Sequence, residues 1–321
     1  MTPRMITTYS MWSLFRNCRK ACYWRYLREL APIRRDPRLG FGTLIHECLE
    51  LWHRGRDLAA VLGHLDQRLP NRTQDDEQRQ GWRLATAMMA GYANRYPAEA
   101  FEVLALEHTF EGEIVNPATR ARSRSFVLAG KVDGLVRIGN EHYVLEHKTA
   151  SSLDGGYLER LWTDFQITLY AYYLEQALGI RITGVLYNVV LKARLKQRRT
   201  ESEAEFEGRL ATKYAQAAMF HREMLYLSRD QFTVLRAELW ELTQALLDAR
   251  RRNTWYQNTA FCFHHYRPCP YFALCRSGDS PNVIDNFYQR VPPHEELREQ
   301  QGPSMSEVPA FSREENRDAS N

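Results

Sequence analysis

Residues 130–149, GKVDGLVRIGNEHYVLEHKT, constrain the fold more than any other stretch of the chain. Runs of valine, leucine, isoleucine and tyrosine flank Gly139-Asn140, the pattern of two strands joined by a tight turn. With those two residues as the turn, opposing positions carry numbers that sum to 279, so Asp133 faces Glu146. Directly opposed Cβ atoms lie roughly 4.5–5.5 Å apart on one face. Lys148, two residues beyond Glu146, shares that face. Two like charges at that range destabilise a sheet unless a cation lies between them, and a divalent metal ion with carboxylate ligands meets the need. A solvated hairpin face on which Lys148 neutralises both acids accounts for the same residues, and a one-residue slip would move the whole set to the other side.

The rest of the chain is read around that hairpin. Helical periodicity covers 9–30 and 42–54, and 57–96 reads as two helices separated near LPNRT. Strand character marks 101–111, 125–138 and 142–149. A long helix follows at 157–178, stopped by Gly179, then a strand at TGVLYNVVLKA and a charge-rich helical region at 200–250. This order predicts an α/β (α+β) fold, a small mixed central sheet flanked by helices, rather than a doubly wound array. Residues 1–290 are predicted to form one domain and the Pro/Ser/Glu-rich 291–321 a disordered polar tail.

Composition sets outer limits. The 321 residues, 44% hydrophobic and 26% charged, suffice for a large core. A net charge of +4 permits a polyanionic partner without demanding one. Arginines and polar residues stand where a secretory signal needs an apolar run, and no stretch approaches the ~18 apolar residues of a membrane span. A cytoplasmic protein with reduced thiols and no membrane partner is the expectation. No G-x4-GK-[ST] loop is present, which argues against ATP use.

Two helix pairs complete the pattern. Gly42 and His46 lie four apart in FGTLIHE, and so do Gln166 and Tyr170 in QITLY, so each pair shares a helix face. The order G-x3-H, D-x12-E-x-K, Q-x3-Y resembles the PD-(D/E)XK nuclease superfamily, and within it the RecB-like branch, over roughly 10–278. Glu107 in ALEHTF falls where that branch often carries an acidic residue. The resemblance implies a restriction-endonuclease-like core with helical additions that hydrolyses phosphodiesters. In it His46, Asp133 and Glu146 would hold Mg2+ or Mn2+, Lys148 would orient water or offset transition-state charge, and Gln166 and Tyr170 would position Lys148 or the DNA backbone. It further implies an exonuclease acting on single- or double-stranded DNA ends in recombination, repair, phage DNA processing or CRISPR adaptation, beside a helicase, an annealing protein or a CRISPR integrase. A structure-specific endonuclease uses the same core. The alternative is a catalytically inactive module of this fold that binds DNA or a partner, with a structural zinc site.

Cys262, Cys269 and Cys275 are spaced C-x6-C-x5-C, with Cys18 far upstream. Thiolates suit zinc or an iron–sulfur cluster, though these spacings do not match the C-x2-C of zinc ribbons. The pattern is similar to the iron–sulfur subset of RecB-like nucleases, which includes AddB and the CRISPR-adaptation exonuclease. There four cysteines hold a [4Fe–4S] cluster that would here join 9–30 to 255–278. Cys22, one helical turn from Cys18, rivals it as the fourth ligand, Cys48 reads as a small buried hydrophobe, and free buried thiols remain a reading for all four. KARLKQRR supplies Lys192, Arg194, Lys196, Arg198 and Arg199 as candidate DNA contacts, although charge runs are commonly just solvated loops.

Overall fold

The computed structural model describes residues 3–33, 37–68, 76–264 and 267–297. The chain opens with β1 (Met5–Thr7), and the Thr8 hydroxyl caps α1 (Tyr9–Asn17) by accepting the Met11 N–H. The single helix expected over 9–30 is broken at Cys18, which is extended at φ −159°, ψ 111°. There Asn258 donates its backbone N–H to Cys18 Sγ at 3.5 Å and its side-chain amide to the Asn17 carbonyl at 2.8 Å. Those bonds from the far end of the chain displace helical continuity. α2 (Arg19–Cys22), a π-helical turn (Tyr23–Leu27) and β2 (Leu30–Pro32) follow.

Next come α3 (Pro37–Gly55), α4 (Leu58–Arg68) and α5 (Asp76–Arg95), and the expected separator near 69–73 lies outside the described residues. β3 (Glu102–Val115), β4 (Arg122–Ile138) and β5 (Glu141–Ala150) form the β block. The helix expected over 157–178 is two, α6 (Gly155–Leu161) and α7 (Phe165–Leu178). Asp164 separates them, its carboxylate accepting the Gln166 N–H at 2.7 Å as the cap of α7. Gly179 ends α7 in the left-handed region. After β6 (Ile182–Leu191), the region read as helical holds α8 (Glu203–Tyr214), β7 (Phe220–Tyr226) and α9 (Arg229–Arg252). β7 escaped the periodicity because HRE in its middle interrupts the apolar run, as charges commonly do on edge strands. β8 (Phe263–His264), β9 (Arg267–Pro268), α10 (Phe272–Ser277), α11 (Pro281–Phe287) and β10 (Tyr288–Arg290) complete the described chain.

Six strands make a mixed sheet of order β1-β4-β5-β6-β7, with β3 also on β4. β4 and β5 pair in the register set by the turn, from Ile138↔Glu141 to Gly134↔Leu145. Gly139 takes φ +60° and Asn140 does not, as a type II′ turn requires. Along β6, Val185, Tyr187 and Val189 enter one core with α1, α7 and α9, while Val190 joins the α3–α4–α5–α8 core on the opposite face. No helix among the described residues is long and apolar enough to cross a membrane.

The first and last segments of the described chain meet. β10 pairs antiparallel with β2, and the Tyr271 hydroxyl donates to the Leu30 carbonyl at 2.9 Å. The polar-tail boundary at 291 therefore needs correction. Val291 and His294 are buried, and His294 bonds Thr8 Oγ1 and the Ile6 carbonyl. Residues 298–321, the remainder of the expected tail, lie outside the described residues.

Candidate active site

The sheet itself opens the site. β3 runs along one edge of β4, and the other edge is shared by two strands: β1 pairs with Phe126–Leu128 and β5 with residues 134–138. Residues 129–133 therefore have no ladder partner on that edge, and a fork opens between β1 and β5. Asp133 sits at its apex. The expected cross-strand pair of Asp133 and Glu146 is not formed, because the ladder stops one residue short at Gly134↔Leu145. Asp133 Oδ2 accepts the His147 N–H at 2.6 Å instead, so the carboxylate takes up a donor that the ladder left open.

A cleft of about 170 Å³ fills the fork, and His46, Asp133, Glu146, Lys148, Gln166 and Tyr170 all border it. His46 comes from α3, whose Ile45, Cys48, Leu49 and Trp52 bury the opposite stripe. His46 Nδ1 lies 3.2 Å from Asp133 Oδ1. Gly42, one turn earlier, stands beside Thr149, where a Cβ would find only its hydroxyl at 3.8 Å. At the cleft, packing requires glycine at 130 and not at 42, since a Cβ at 130 would meet the Phe110 ring at 2.5 Å. Lys148 Nζ donates to Glu146 Oε1 at 2.5 Å and to Gln166 Oε1 at 3.3 Å. The Asp164 cap places Gln166 in the first turn of α7, and Tyr170 packs edge-on against Tyr9 and Phe110.

Charge in the cleft is unbalanced. Burial opposes ionisation of Asp133, but His46 and Lys148 hold it well below the usual carboxylate range. Burial, with the Asp133 charge added, pushes Glu146 well above that range in spite of Lys148. Burial alone would lower Lys148, yet the two carboxylates raise it, so its ammonium keeps its proton at neutral pH. His46 likewise rises above its ordinary value, Asp133 outweighing the effect of burial. A carboxyl driven toward protonation beside an ionised one marks a donor set short of positive charge, which fits a hard divalent cation. Among the described residues no three His, Cys, Asp or Glu side chains already form a metal cage. Asp133 is engaged by His46 and the His147 N–H, and Glu146 by Lys148.

Several lining residues escaped the sequence reading. Lys131 borders the cleft two residues before Asp133, a period-2 signal available within GKVDG, and it ion-pairs with Glu107. Glu107 lies on β3 between the pairs Leu106↔Gly134 and His108↔Val132, level with Asp133, at φ +49°. Thr8, Ser10 and Leu297 come from the first and last segments of the described chain and carried no signal.

Behind the cleft is a buried polar network. His147 faces away from it, accepts from Asn188 Nδ2 at 2.8 Å and stacks on His53 with ring centroids 5.2 Å apart. Arg222 on β7 forks onto the fully buried Glu99 and donates to Asn188 Oδ1 at 3.3 Å and the Tyr92 hydroxyl at 2.9 Å. The backbone N–H that holds Asp133 thus belongs to a residue fixed by five other segments.

Cys269 and Cys275 lie within electrostatic reach of one another and each of Cys18 and Cys262, and Cys269 donates its N–H to the Cys262 carbonyl at 2.7 Å. Tyr271 gives its N–H to Cys269 Sγ at 3.5 Å. Cys22 belongs to the other core, with Sγ turned to the Met11 carbonyl, and burial holds its thiol far above the ordinary range. Cys48 is a buried core residue. Of the basic run, Lys192 lies over the Phe41 ring at 4.8 Å, while Arg194, Lys196, Arg198 and Arg199 are exposed and do not border the cleft.

A family model described as the PD-(D/E)XK nuclease superfamily matches residues 7–276. No curated protein matches the chain. A solved structure described as a "putative exonuclease" from Eubacterium rectale is 12% identical, with a TM-score of 0.45, over 87% of this chain and 91% of that one.

Proposed function

The chain belongs to the PD-(D/E)XK nuclease superfamily, and on that premise we propose that it is a Mg2+- or Mn2+-dependent deoxyribonuclease acting from DNA ends. The observation that carries this is the convergence of His46, Asp133, Glu146 and Lys148 on one cleft at the fork of the sheet. A degenerate binding module would be expected to lack at least one of them. End-directed action follows from the likeness to the RecB-like branch, with recombination, repair, phage DNA processing and CRISPR adaptation as its settings.

Asp133, Glu146 and His46 would hold the cation, which supplies polarisation of the phosphate and a lowered pKa for water. Lys148, whose ammonium the neighbouring carboxylates stabilise, would donate to a phosphate oxygen or to the attacking water. Gln166 accepts from Lys148 and limits where the ammonium can point. Lys192 stands beside Phe41 on α3, and 194–199 would track the DNA backbone outward from there.

For Cys18, Cys262, Cys269 and Cys275 we propose a [4Fe–4S] cluster. Support comes from the electrostatic reach of Cys269 and Cys275 to Cys18 and Cys262, although the four thiols do not already form a closed cage, and from N–H···S bonds to Cys18 and Cys269. Iron and sulfide near four each per chain are expected on analysis, whereas zinc without iron assigns the thiols to a structural zinc site. The nuclease reading is tested by digesting end-labelled linear and circular DNA with Mn2+. Wild type should shorten the linear form and Asp133→Ala should not, and full activity in that variant overturns the reading.

A further inference from the structure

A second recess lies beside Cys18, between the α1–α2 break and the segment that follows α9. Its volume of about 410 Å³ falls within the ~300–1,000 Å³ of small-ligand sites. Arg16, Arg19, Tyr256 and Gln257 line it, and none of its lining residues is acidic. Cys18 is the sole member of the thiol group that borders it, so the recess is not the space between the cysteines.

We infer that this recess holds a nucleotide of single-stranded DNA adjoining the catalytic cleft, an inference that rests on the nuclease reading. Charge is the first argument. Neither Arg16 nor Arg19 has a carboxylate partner among the described residues, and each guanidinium lies over aromatic rings instead. Arg16 is 4.8 Å from the Phe165 ring centroid, and Arg19 is 4.9 Å from that of Phe15 and 4.7 Å from that of Tyr256. Guanidinium groups without a counter-charge offer paired donors to a phosphate.

The second argument is the ring. Tyr256 is 55% exposed, an aromatic surface that a base covers by stacking. Stacking on an open ring needs an unpaired base, which selects single-stranded DNA and tolerates any sequence. The third is continuity. Phe165, under Arg16, directly precedes Gln166, which bonds Lys148, and Tyr9 packs against both Phe165 and Tyr170. Ring contacts thus run from Arg16 in the recess through Phe165 and Tyr9 to Tyr170 in the cleft.

The test uses full-length protein carrying Asp133→Ala, titrated with fluorescein-labelled oligothymidine across a salt series. Tyr256→Ala should weaken binding about tenfold, within the range for one stacked base, and Tyr256→Trp should restore it. Arg16→Ala with Arg19→Ala should reduce the slope of log K against log salt by about 1.4, as for two phosphates of a single strand. With Asp133 intact, these variants should lose activity on oligonucleotides while hydrolysing bis(p-nitrophenyl) phosphate, too short to reach the recess, at the wild-type rate. Unchanged affinity and slope overturn the inference. Equal losses on the small and long substrates also overturn it, because the residues would then only support the fold. Should wild type cleave neither substrate, the nuclease reading falls while the binding series still decides the recess.

Discussion

At the scale of single residues, the proposed electrostatic group Lys148 is held in place from two sides, by Glu146 and Gln166. Lys148→Ala should lower kcat by roughly 10²–10³, the usual cost of removing one preorganised donor. Gln166→Ala, which frees the ammonium without removing it, should cost about tenfold, and single-turnover rates on labelled DNA check the ranking. A Gln166→Ala loss equal to that of Lys148→Ala would give Gln166 a direct part in the chemistry. His53 has a different signature. Burial, with Arg222 adding to it, drives its pKa down to about 3, and nearby Glu99 cannot offset this because it is committed to Arg222. Between pH 3 and 6.5 the unfolded chain therefore binds more protons at this position, so stability is lost as pH falls through 6.5. From pH 7.5 to 5.5 the His53 share is ~1.4 kcal/mol. Urea unfolding at both values should show a smaller loss for His53→Gln than for wild type, and an equal loss would remove the assignment.

At the scale of elements, the break at Asp164 matters because it sets where Gln166 begins its helix. Asp164→Ala should cost about 1 kcal/mol as a lost N-cap, read by urea unfolding, and should also slow cleavage. The Arg222–Glu99 pair is the costlier contact. Arg222→Met strands a fully buried carboxylate and should destabilise by roughly 3–5 kcal/mol, whereas Arg222→Met with Glu99→Gln should recover part of that loss. The β4–β5 register was readable in advance because a two-residue turn leaves one pairing, and Gly139 obeyed it. The network behind it was not. Arg222 lies on β7, whose charged centre hides strand periodicity, and Glu99 lies in a connecting loop, so nothing local announces that they meet. The break at Cys18 was invisible for a related reason, since its cause is Asn258, 240 positions away.

At the scale of the whole molecule, the residues proposed for the chemistry were legible and the walls around them were not. His46, Asp133, Glu146 and Lys148 stand in short motifs whose spacing maps directly onto one helix face and one hairpin. Thr8 and Leu297 reach the same cleft through pairing of distant segments. Ending the chain at 290 removes the His294 bonds to Thr8 and Ile6 together with Leu297. That truncation should lower both the melting temperature and the cleavage rate, while ending at 297 should preserve both. Equal behaviour of the two truncations would show that 291–297 has no part in the site.

The fork between β1 and β5 has one further consequence. Its floor is made mid-chain, but one wall comes from the first ten residues and a rim from Leu297. During synthesis the acids and the lysine emerge from the ribosome well before that last piece. A growing polypeptide therefore has the floor of the cleft in hand before its rim, which is added only once residue 297 has been made.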